Sequence, residues 1–477
     1  MLDESLLDAP EALTRADTRG LLRGAAESGA RVRTAARFAA EAGLADLQPD
    51  GRPRSILVAG PGSVADCTAD LLGALAGGSL PVTLVRPTGV APAAGALRWT
   101  LPGWAGPLDL LAVTTPDGSE PGLAVLVDQA YRRGCTVVAV CPTETPLTEA
   151  VVRARGLPIP TAPAPLPEAG PQTAGYGAYE RDAAGPVDGG WPAADQPRYA
   201  DRPEPGEGGN NPPPLAPGEA HPRPEPPAVG ALGAHPHGAA DPHAPADHTG
   251  APRAGAQPVV PSPGALWAVL TPLLALADRI GLLHAPPEAL ERVADRLDRV
   301  AERCGPAQAA YRNPAKTLAA ELAGALPLVW TEGEVAAAVG RRFARLLGAV
   351  AGRPALAAEL PDALRLHGAL LTSAFAGGAD PDDFFRDRVE DPEALRARVV
   401  LLRDRPTPTD QPATAVLSAA PAARDLALTH DTAVSELEPS ADSADSSADE
   451  ALENAAELLA ITDFAAVYLL LAGAEGS

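Results

Sequence analysis

The chain has 477 residues and a mass of 48.4 kDa, enough for two domains of ordinary size and an additional segment. Lys and Arg total 38 against 61 Asp and Glu, so the formal net charge is −23. This charge argues against sequence-independent binding of nucleic acid or of an anionic membrane surface. No uncharged apolar run is long enough to span a bilayer, and the acidic amino terminus lacks the features of a signal peptide. We therefore expect a cytoplasmic protein.

The four cysteines are too widely spaced to indicate a shared metal site or a disulfide framework. They are Cys67, Cys135, Cys141 and Cys304, and no two of them fall at the CxxC spacing of zinc sites and redox motifs. The spacing therefore indicates neither a zinc site nor a disulfide framework. We expect no bound metal and no cofactor.

A segment rich in proline separates two halves of the chain. Residues 160–263 hold 25 of the 54 prolines and five of the eight histidines, with no sustained apolar period. Such a stretch cannot bury enough apolar surface to offset its ordering entropy, so we expect a disordered linker. The histidines could instead form a metal-binding tract, but their Pro and Gly neighbours do not fix a geometry. By the same reasoning, the acidic stretch 439–450 is predicted to be a disordered loop.

The first half combines a helical start with alternating strands and helices. Residues 1–50 carry apolar residues at helical spacing, and residues 51–159 then alternate short apolar runs with helical stretches. The predicted strands are 55–59, 81–85, 108–114 and 136–140, with a fifth beginning at 157. This order is typical of a doubly wound parallel sheet.

The second half, residues 264–477, repeats this α/β character with more helix. Helices are predicted at 265–280, 287–303, 313–326, 339–351 and 451–472, and strands at 328–331, 356–358 and 399–402. The fold class is therefore α/β, with two doubly wound parallel-sheet domains and a long disordered linker between them.

Two turns that follow predicted strands carry the chemistry. In the first, Gly60 and Gly62 let the main chain approach a ligand and Ser63 opens a helix, so N–H groups and a hydroxyl converge on an anion. The second turn holds Thr114, Thr115 and Ser119. Both follow parallel strands, so they meet at the edge of the sheet where such folds bind ligands. The alternative is that the glycines serve the geometry of a tight turn alone.

The first turn also fits a dinucleotide fingerprint, Gly60-x-Gly62-x-x-Ala65. The acidic residue that would hold the ribose is missing at the end of the next strand, where Arg86 could accept a 2′-phosphate. An NADP-dependent oxidoreductase therefore remains an alternative.

The hydroxyl-rich turns resemble those of the sugar isomerase (SIS) domain, which binds phosphosugars after parallel strands. Three further stretches resemble the bifunctional phosphoglucose/phosphomannose isomerase family, which has two SIS domains in one chain. They are the Leu-x-x-Pro-Glu start at 7–11, Asn-Pro-Ala-Lys-Thr-Leu-Ala at 313–319 and Ile-Thr-Asp-Phe-Ala-Ala-Val-Tyr-Leu at 461–469. The resemblance covers nearly everything outside the two insertions and implies two SIS-type domains.

The resemblance implies the interconversion of aldose and ketose hexose 6-phosphates through an enediol, with glucose 6-phosphate or mannose 6-phosphate and fructose 6-phosphate as the substrates. Gly62, Ser63, Thr114, Thr115 and Ser119 fall where the family binds phosphate, and family members form homodimers.

Two positions in the predicted phosphate turn depart from the family. Pro116 replaces a family serine, and Asp117 stands at a usually small, neutral position, where it would repel phosphate if it faced inward.

The predicted catalytic residues also depart from the family. The position of the family's base, a glutamate, falls at about Ala349, and the ring-opening histidine matches His367 only with a shift of two residues. The catalytic base is therefore unknown. Its role could fall to one of three other carboxylates, or all three could simply be solvated; they are Glu332, Glu334 and Glu359. A second hypothesis is a catalytically degenerate, regulatory protein that still binds sugar phosphate. Lys316, the single lysine, either donates hydrogen bonds within the second domain or binds a substrate anion.

Overall fold

The computed structural model describes residues 4–47, 51–89, 97–161, 263–372, 395–405, 418–440 and 450–473. Four helices precede the first sheet, and their buried residues recur at helical spacing, as in Val32, Ala35 and Ala39. They are α1 (Glu4–Leu7), α2 (Pro10–Ala16), α3 (Leu21–Ala26) and α4 (Ser28–Glu41), and a 3₁₀ turn follows at Leu44–Asp46. The predicted helical start is therefore present.

The first domain (residues 51–161) is built on a parallel sheet of five strands in the order β2-β1-β3-β4-β5. The central strands are buried along almost their whole length, as expected when helices cover both faces of a parallel sheet. The strands are β1 (Ser55–Ala59), β2 (Val82–Val85), β3 (Asp109–Thr114), β4 (Thr136–Cys141) and β5 (Leu157–Pro160), and the helices are α5 (Gly62–Leu75), α6 (Pro121–Arg132) and α7 (Pro146–Arg153).

The second domain (residues 263–473) begins with three helices and continues into a parallel sheet of four strands in the order β7-β6-β8-β9. The helices are α8 (Ala265–Arg279), α9 (Pro287–Cys304), α10 (Pro314–Leu322), α11 (Glu334–Ala349), α12 (Asp362–Leu366), α13 (Gly368–Leu371), α14 (Ala420–Thr429) and α15 (Glu450–Gly473). The strands are β6 (Ala325–Glu332), β7 (Leu356–Glu359), β8 (Arg396–Arg403) and β9 (Val434–Leu437), and a 3₁₀ turn lies at Ala310–Arg312.

The helix α15 forms the centre of the largest hydrophobic cluster. The helix has 24 residues, and its most apolar 18-residue stretch has a mean hydropathy of 1.8, which would suffice for a membrane span. However, 94% of that stretch is buried inside the protein. Two of its buried carboxylates are paired: Glu457 forms an ion pair with Arg303, and Asp463 forms one with Arg342. This helix is therefore packed as the core helix of a folded domain.

The two domains belong to one compact unit, joined by helix packing and by ion pairs. The helix α5 of the first domain packs against α11 of the second. Arg341 on α11 contacts Asp70 on α5 at 2.9 Å, and Arg345 contacts Asp66 at 3.6 Å. The amino-terminal helix α4 packs against α8 and α9, so the start of the chain contributes to the core of the second domain.

The two predicted parallel sheets are confirmed. The predicted helix 313–326 is too long, because Gly324 takes a left-handed conformation (φ +71°) and Ala325 begins β6. The helix α14 and the edge strand β9 are not predicted from the sequence. The predicted linker at 160–263 and its histidine tract lie almost wholly outside the described residues, as do residues 441–449 of the predicted acidic loop.

Candidate functional site

The two predicted anion turns meet where the strand order of the first sheet reverses, between β1 and β3. At such a point the flanking loops separate and leave a crevice at the carboxyl ends of the strands. The turns touch at Gly60 and Thr114, since a Cβ atom on Gly60 would lie 2.2 Å from the main-chain oxygen of Thr114. Only glycine allows this approach, so the sequence places a glycine there for a physical reason.

The first turn leaves the amino terminus of α5 open. Gly62 takes a left-handed conformation (φ +71°), and the half-buried Ser63 stands in the first turn of the helix. The N-cap residue is Pro61, which has no side-chain hydrogen-bonding group, and no described side chain caps this helix end. The main-chain N–H groups at the start of α5 therefore stay available to an anion, and the helix dipole favours a negative charge there.

In the second turn, the predicted hydroxyls contact a carboxylate of their own loop. Asp117 accepts hydrogen bonds from the hydroxyls of Thr115 (3.1 Å) and Ser119 (2.8 Å) and from the Ser119 N–H (3.1 Å). The Thr115 hydroxyl in turn accepts a bond from the Gly118 N–H at 3.0 Å. Partial burial acts to raise the pKa of Asp117, but these hydrogen bonds outweigh it and hold the pKa below its ordinary value.

The other members of this turn are fixed by packing. Thr114 is buried, and its hydroxyl lies 3.5 Å from the main-chain oxygen of Ala59. Gly118 (φ +66°) packs against Thr145 of the loop after β4, where a Cβ atom would lie 2.7 Å from the threonine methyl group. Thr115 and Ser119 therefore carry the hydroxyls that bond Asp117, while Thr114 bonds back to its neighbouring strand.

The corresponding position in the second domain is filled by Asp404. One residue beyond the last paired residues of β6 and β8, the register brings Gly333 opposite Asp404, as the register of β1 and β3 brings Gly60 opposite Thr114. The Asp404 carboxylate accepts hydrogen bonds from the N–H groups of Val335 (3.0 Å) and Ala336 (2.6 Å) at the start of α11.

Burial raises the pKa of Asp404 to about 6, against the effect of the two N–H groups and with a contribution from Glu334. The amino terminus of α11 is therefore capped from within the chain, whereas no described side chain caps that of α5. Asp404 is not among the residues predicted from the sequence. It lies directly after β8, whose run 399–402 is apolar, as Thr115 lies directly after β3, and a polar residue at such a position is the signal that would have found it.

The substitute carboxylates are engaged in structural contacts or lie in solvent. Glu332 accepts bonds from the Ser418 hydroxyl (2.9 Å) and the Ala419 N–H (2.6 Å) and pairs with Arg403 at 3.0 Å. Although burial opposes the shift, these partners hold the pKa of Glu332 below its ordinary value. Glu359 is exposed and pairs with Arg341 at 2.7 Å.

Neither Glu334 nor Ala349 supplies a positioned base. Glu334 is exposed in the first turn of α11, and Ala349 is exposed as the last residue of the same helix. The structure therefore places no free, buried carboxylate at the positions that the sequence offered for a catalytic base.

His367 lies in the second domain between α12 and α13 and is 7% exposed. Its Nδ1 atom accepts a 2.9 Å hydrogen bond from the indole N–H of Trp330 on β6, so the neutral ring carries its proton on Nε2. Burial lowers the pKa of His367. No hydrogen bond within the described part of the chain joins His367 to the two turns of the first domain.

Residues 311–474 match the family model described as the bacterial phospho-glucose isomerase C-terminal SIS domain. The match confirms the predicted resemblance and identifies this region as an SIS domain. No curated protein matches the chain.

Solved structures also resemble the chain. One is a glucose-6-phosphate isomerase like protein from Thermus thermophilus, with 22% identity, 45% of this chain and 60% of that chain covered and a TM-score of 0.31. This chain thus spans about 60% of the length of that protein. Another is the C-terminal domain of glucosamine-fructose-6-phosphate aminotransferase from Francisella tularensis, with 10% identity, 95% and 96% covered and a TM-score of 0.42.

Proposed function

We propose that the chain binds a hexose 6-phosphate at the carboxyl edge of the first sheet and acts as a sugar-phosphate-binding regulatory protein of the SIS type. One observation carries this proposal: no side chain in the described part of the chain caps the amino terminus of α5, which adjoins a hydroxyl-bearing turn at the strand reversal. The phosphate would accept bonds from the N–H groups of α5 and from Ser63. Thr114, Thr115 and Ser119 of the adjoining turn complete the proposed binding residues.

A second candidate function is catalytic, the interconversion of aldose and ketose hexose 6-phosphates through an enediol. The match of residues 311–474 to the phosphoglucose isomerase type of SIS domain favours it. His367 would assist ring opening through its Nε2–H group, which donates no hydrogen bond to the described residues. The engagement of Glu332 and Glu359 in ion pairs argues against turnover, since an enediol mechanism needs a free base near the substrate.

The remaining expectations extend this proposal. The partner is a small sugar phosphate rather than nucleic acid or a membrane, in keeping with the net charge of −23. We propose a homodimer in the cytoplasm. The NADP alternative depends on Arg86, whose guanidinium contacts Asp66 at 3.4 Å, and it predicts stabilisation by a nicotinamide nucleotide.

The binding proposal is tested by thermal unfolding with fructose 6-phosphate, using inorganic phosphate as a second ligand. We expect the sugar phosphate to raise the melting temperature of the wild type and to have no effect on the Ser63→Ala, Ser119→Ala double variant. The matched control is Ser79→Ala, which removes an exposed hydroxyl beyond the carboxyl end of α5. An unchanged shift in the double variant would contradict the site assignment.

The catalytic candidate is tested on the same proteins. Fructose 6-phosphate is incubated with each, and the formation of glucose 6-phosphate and mannose 6-phosphate is followed. Ligand stabilisation without turnover supports the regulatory function. Turnover by the wild type that is lost in Ser63→Ala supports the isomerase.

A further inference from the structure

The Asp117 carboxylate occupies the donor groups that a phosphate would need in the second turn. It accepts bonds from the hydroxyls of Thr115 and Ser119 and from the Ser119 main-chain N–H. A phosphate monoester bound by this turn would use these same donors, because phosphate oxygens are also strong acceptors. Within the turn, Asp117 thus takes the place of an anionic ligand.

The two carboxylates at the strand reversals differ in how firmly they are held. Asp404 in the second domain is half-buried and accepts bonds from Val335 and Ala336 at the start of α11. Asp117 is exposed, and all three of its donors belong to its own turn. An exposed side chain changes rotamer quickly, so Asp117 can release its donors without disturbing the core.

Releasing the donors does not remove the charge. Asp117 belongs to the short loop from Pro116 to Ser119. Its carboxylate therefore stays close to any phosphate bound to this turn, whichever rotamer it adopts. Like charges brought together at a binding site reduce affinity, and the effect weakens as salt screens them. A phosphate ligand therefore meets both competition for donors and repulsion.

We propose that Asp117 is a specificity-determining residue that weakens the binding of phosphate monoesters to the first domain. The proposal rests on the proposed function, since it concerns the same turn. In the free protein, the Asp117 carboxylate binds the donor groups of Thr115 and Ser119. When a phosphate ligand binds, it replaces the carboxylate at these donors. Replacing the carboxylate with a neutral group then produces a tighter site for sugar phosphate.

The test is titration calorimetry of the full chain with fructose 6-phosphate at low ionic strength. The variants are Asp117→Asn, which keeps an acceptor and removes the charge, and Asp117→Ser, which supplies a small hydroxyl. The control Asp425→Asn changes the net charge equally at an exposed position on α14. We expect the Asp117 variants to bind about tenfold more tightly than the wild type and the control, since like-charge repulsion is removed.

The salt dependence of the affinity separates two effects of the Asp117 carboxylate, charge repulsion and competition for the hydrogen-bond donors. The gain of Asp117→Asn is expected to shrink in high salt, because screening weakens repulsion in the wild type as well. Thermal unfolding without ligand establishes that each variant is folded.

The outcomes distinguish this inference from the proposed function. Equal or weaker binding by both Asp117 variants, with clear binding by the wild type, overturns the role of Asp117 and leaves the binding function standing. Binding of fructose 6-phosphate by none of the folded proteins overturns both. Tighter binding by the Asp117 variants alone supports both.

Discussion

The ammonium group of Lys316 donates a 2.6 Å hydrogen bond to the main-chain oxygen of Leu7, 309 positions earlier in the sequence. It also donates to the main-chain oxygens of Pro306 (2.8 Å) and Gln308 (2.7 Å). An ammonium has three donors and no acceptor, so all of its hydrogen-bonding capacity is used. The side chain is fully buried beside the Tyr468 ring. The sequence left two roles for Lys316, a hydrogen-bond donor within the protein or a ligand of a substrate anion. The structure supports the first, because Lys316 connects the amino-terminal segment to the second domain.

Replacing Lys316 with Met is expected to destabilise the protein strongly. The change leaves the three main-chain oxygens without a donor, and a buried unsatisfied group costs about 1–3 kcal/mol. We expect the free energy of unfolding to fall by about 3 kcal/mol or more, measured by chemical denaturation. The nearby exposed Arg312→Met is the control and is expected to change little. Normal stability combined with loss of sugar-phosphate binding would assign Lys316 to the ligand instead.

The buried pair Arg342–Asp463 holds α11 against α15. The guanidinium contacts both carboxylate oxygens, at 3.0 and 3.2 Å, and also donates to the main-chain oxygen of Pro263. Removing one partner leaves the other charge buried and unpaired, so we expect Arg342→Met to cost about 3–5 kcal/mol in unfolding free energy.

Two further variants give this prediction its controls. Arg341→Met removes the neighbouring, partly exposed arginine, whose surface ion pairs contribute about 1 kcal/mol or less. The double variant Arg342→Met, Asp463→Leu removes both charges and is expected to be more stable than Arg342→Met alone. Equal losses for Arg341→Met and Arg342→Met would show that burial of the pair is of no consequence.

The sequence predicted the positions where the chain shows a clear apolar period. The buried strand β1 was located to the residue, because Gly60 follows a run of apolar residues. The edge strand β9 was missed because it is only partly buried and its Glu436 forms ion pairs with Arg403 and Arg424. Pattern alone does not distinguish such a strand from a polar loop.

The candidate site was predictable in its main-chain features and not in its electrostatics. Glycines and hydroxyls after parallel strands placed the two turns correctly at one edge of the sheet. The carboxylate of Asp404 contacts Ala336, 68 positions away, and that contact depends on the register of β6 and β8. The apolar pattern of a strand indicates which face is buried but not which strand it pairs with or in what register, so this contact was not predictable.

His367 is expected to make stability fall in acid. Burial lowers the pKa of the folded imidazole, while an unfolded histidine binds a proton at about pH 6.5. The unfolded state therefore takes up more protons as the pH falls below that value, and the stability contributed by neutral His367 is lost. Protonation of Nδ1 would also break the bond from Trp330.

The measurement compares the wild type with His367→Gln by chemical denaturation from about pH 7.5 to about pH 5. We expect the stability difference, wild type minus variant, to decrease as the pH falls. A difference that does not change with pH would mean that His367 titrates equally in both states and is not restrained by its burial.

Asp404 is expected to have the opposite dependence on pH. Its folded pKa of about 6 lies above the ordinary value of 3.8, so the folded state binds the proton more tightly than the unfolded state does. The stability from this group is fully present below pH 3.8 and is lost as the pH rises through about 6. Relative to Asp404→Asn, which keeps an acceptor for the Ala336 N–H and never ionises, the wild type should lose up to about 3 kcal/mol over this range.

Chemical denaturation of the wild type and of Asp404→Asn, from below pH 3.8 to above the folded pKa of about 6, measures this difference in stability. A relative stability of the wild type that rises with pH would contradict the prediction. In that case the N–H groups of Val335 and Ala336 stabilise the charged carboxylate more than burial penalises it. Asp404 would then be a permanent anion at the start of α11, and the open amino terminus of α5 would be the place where the two domains differ most in their capacity to bind phosphate.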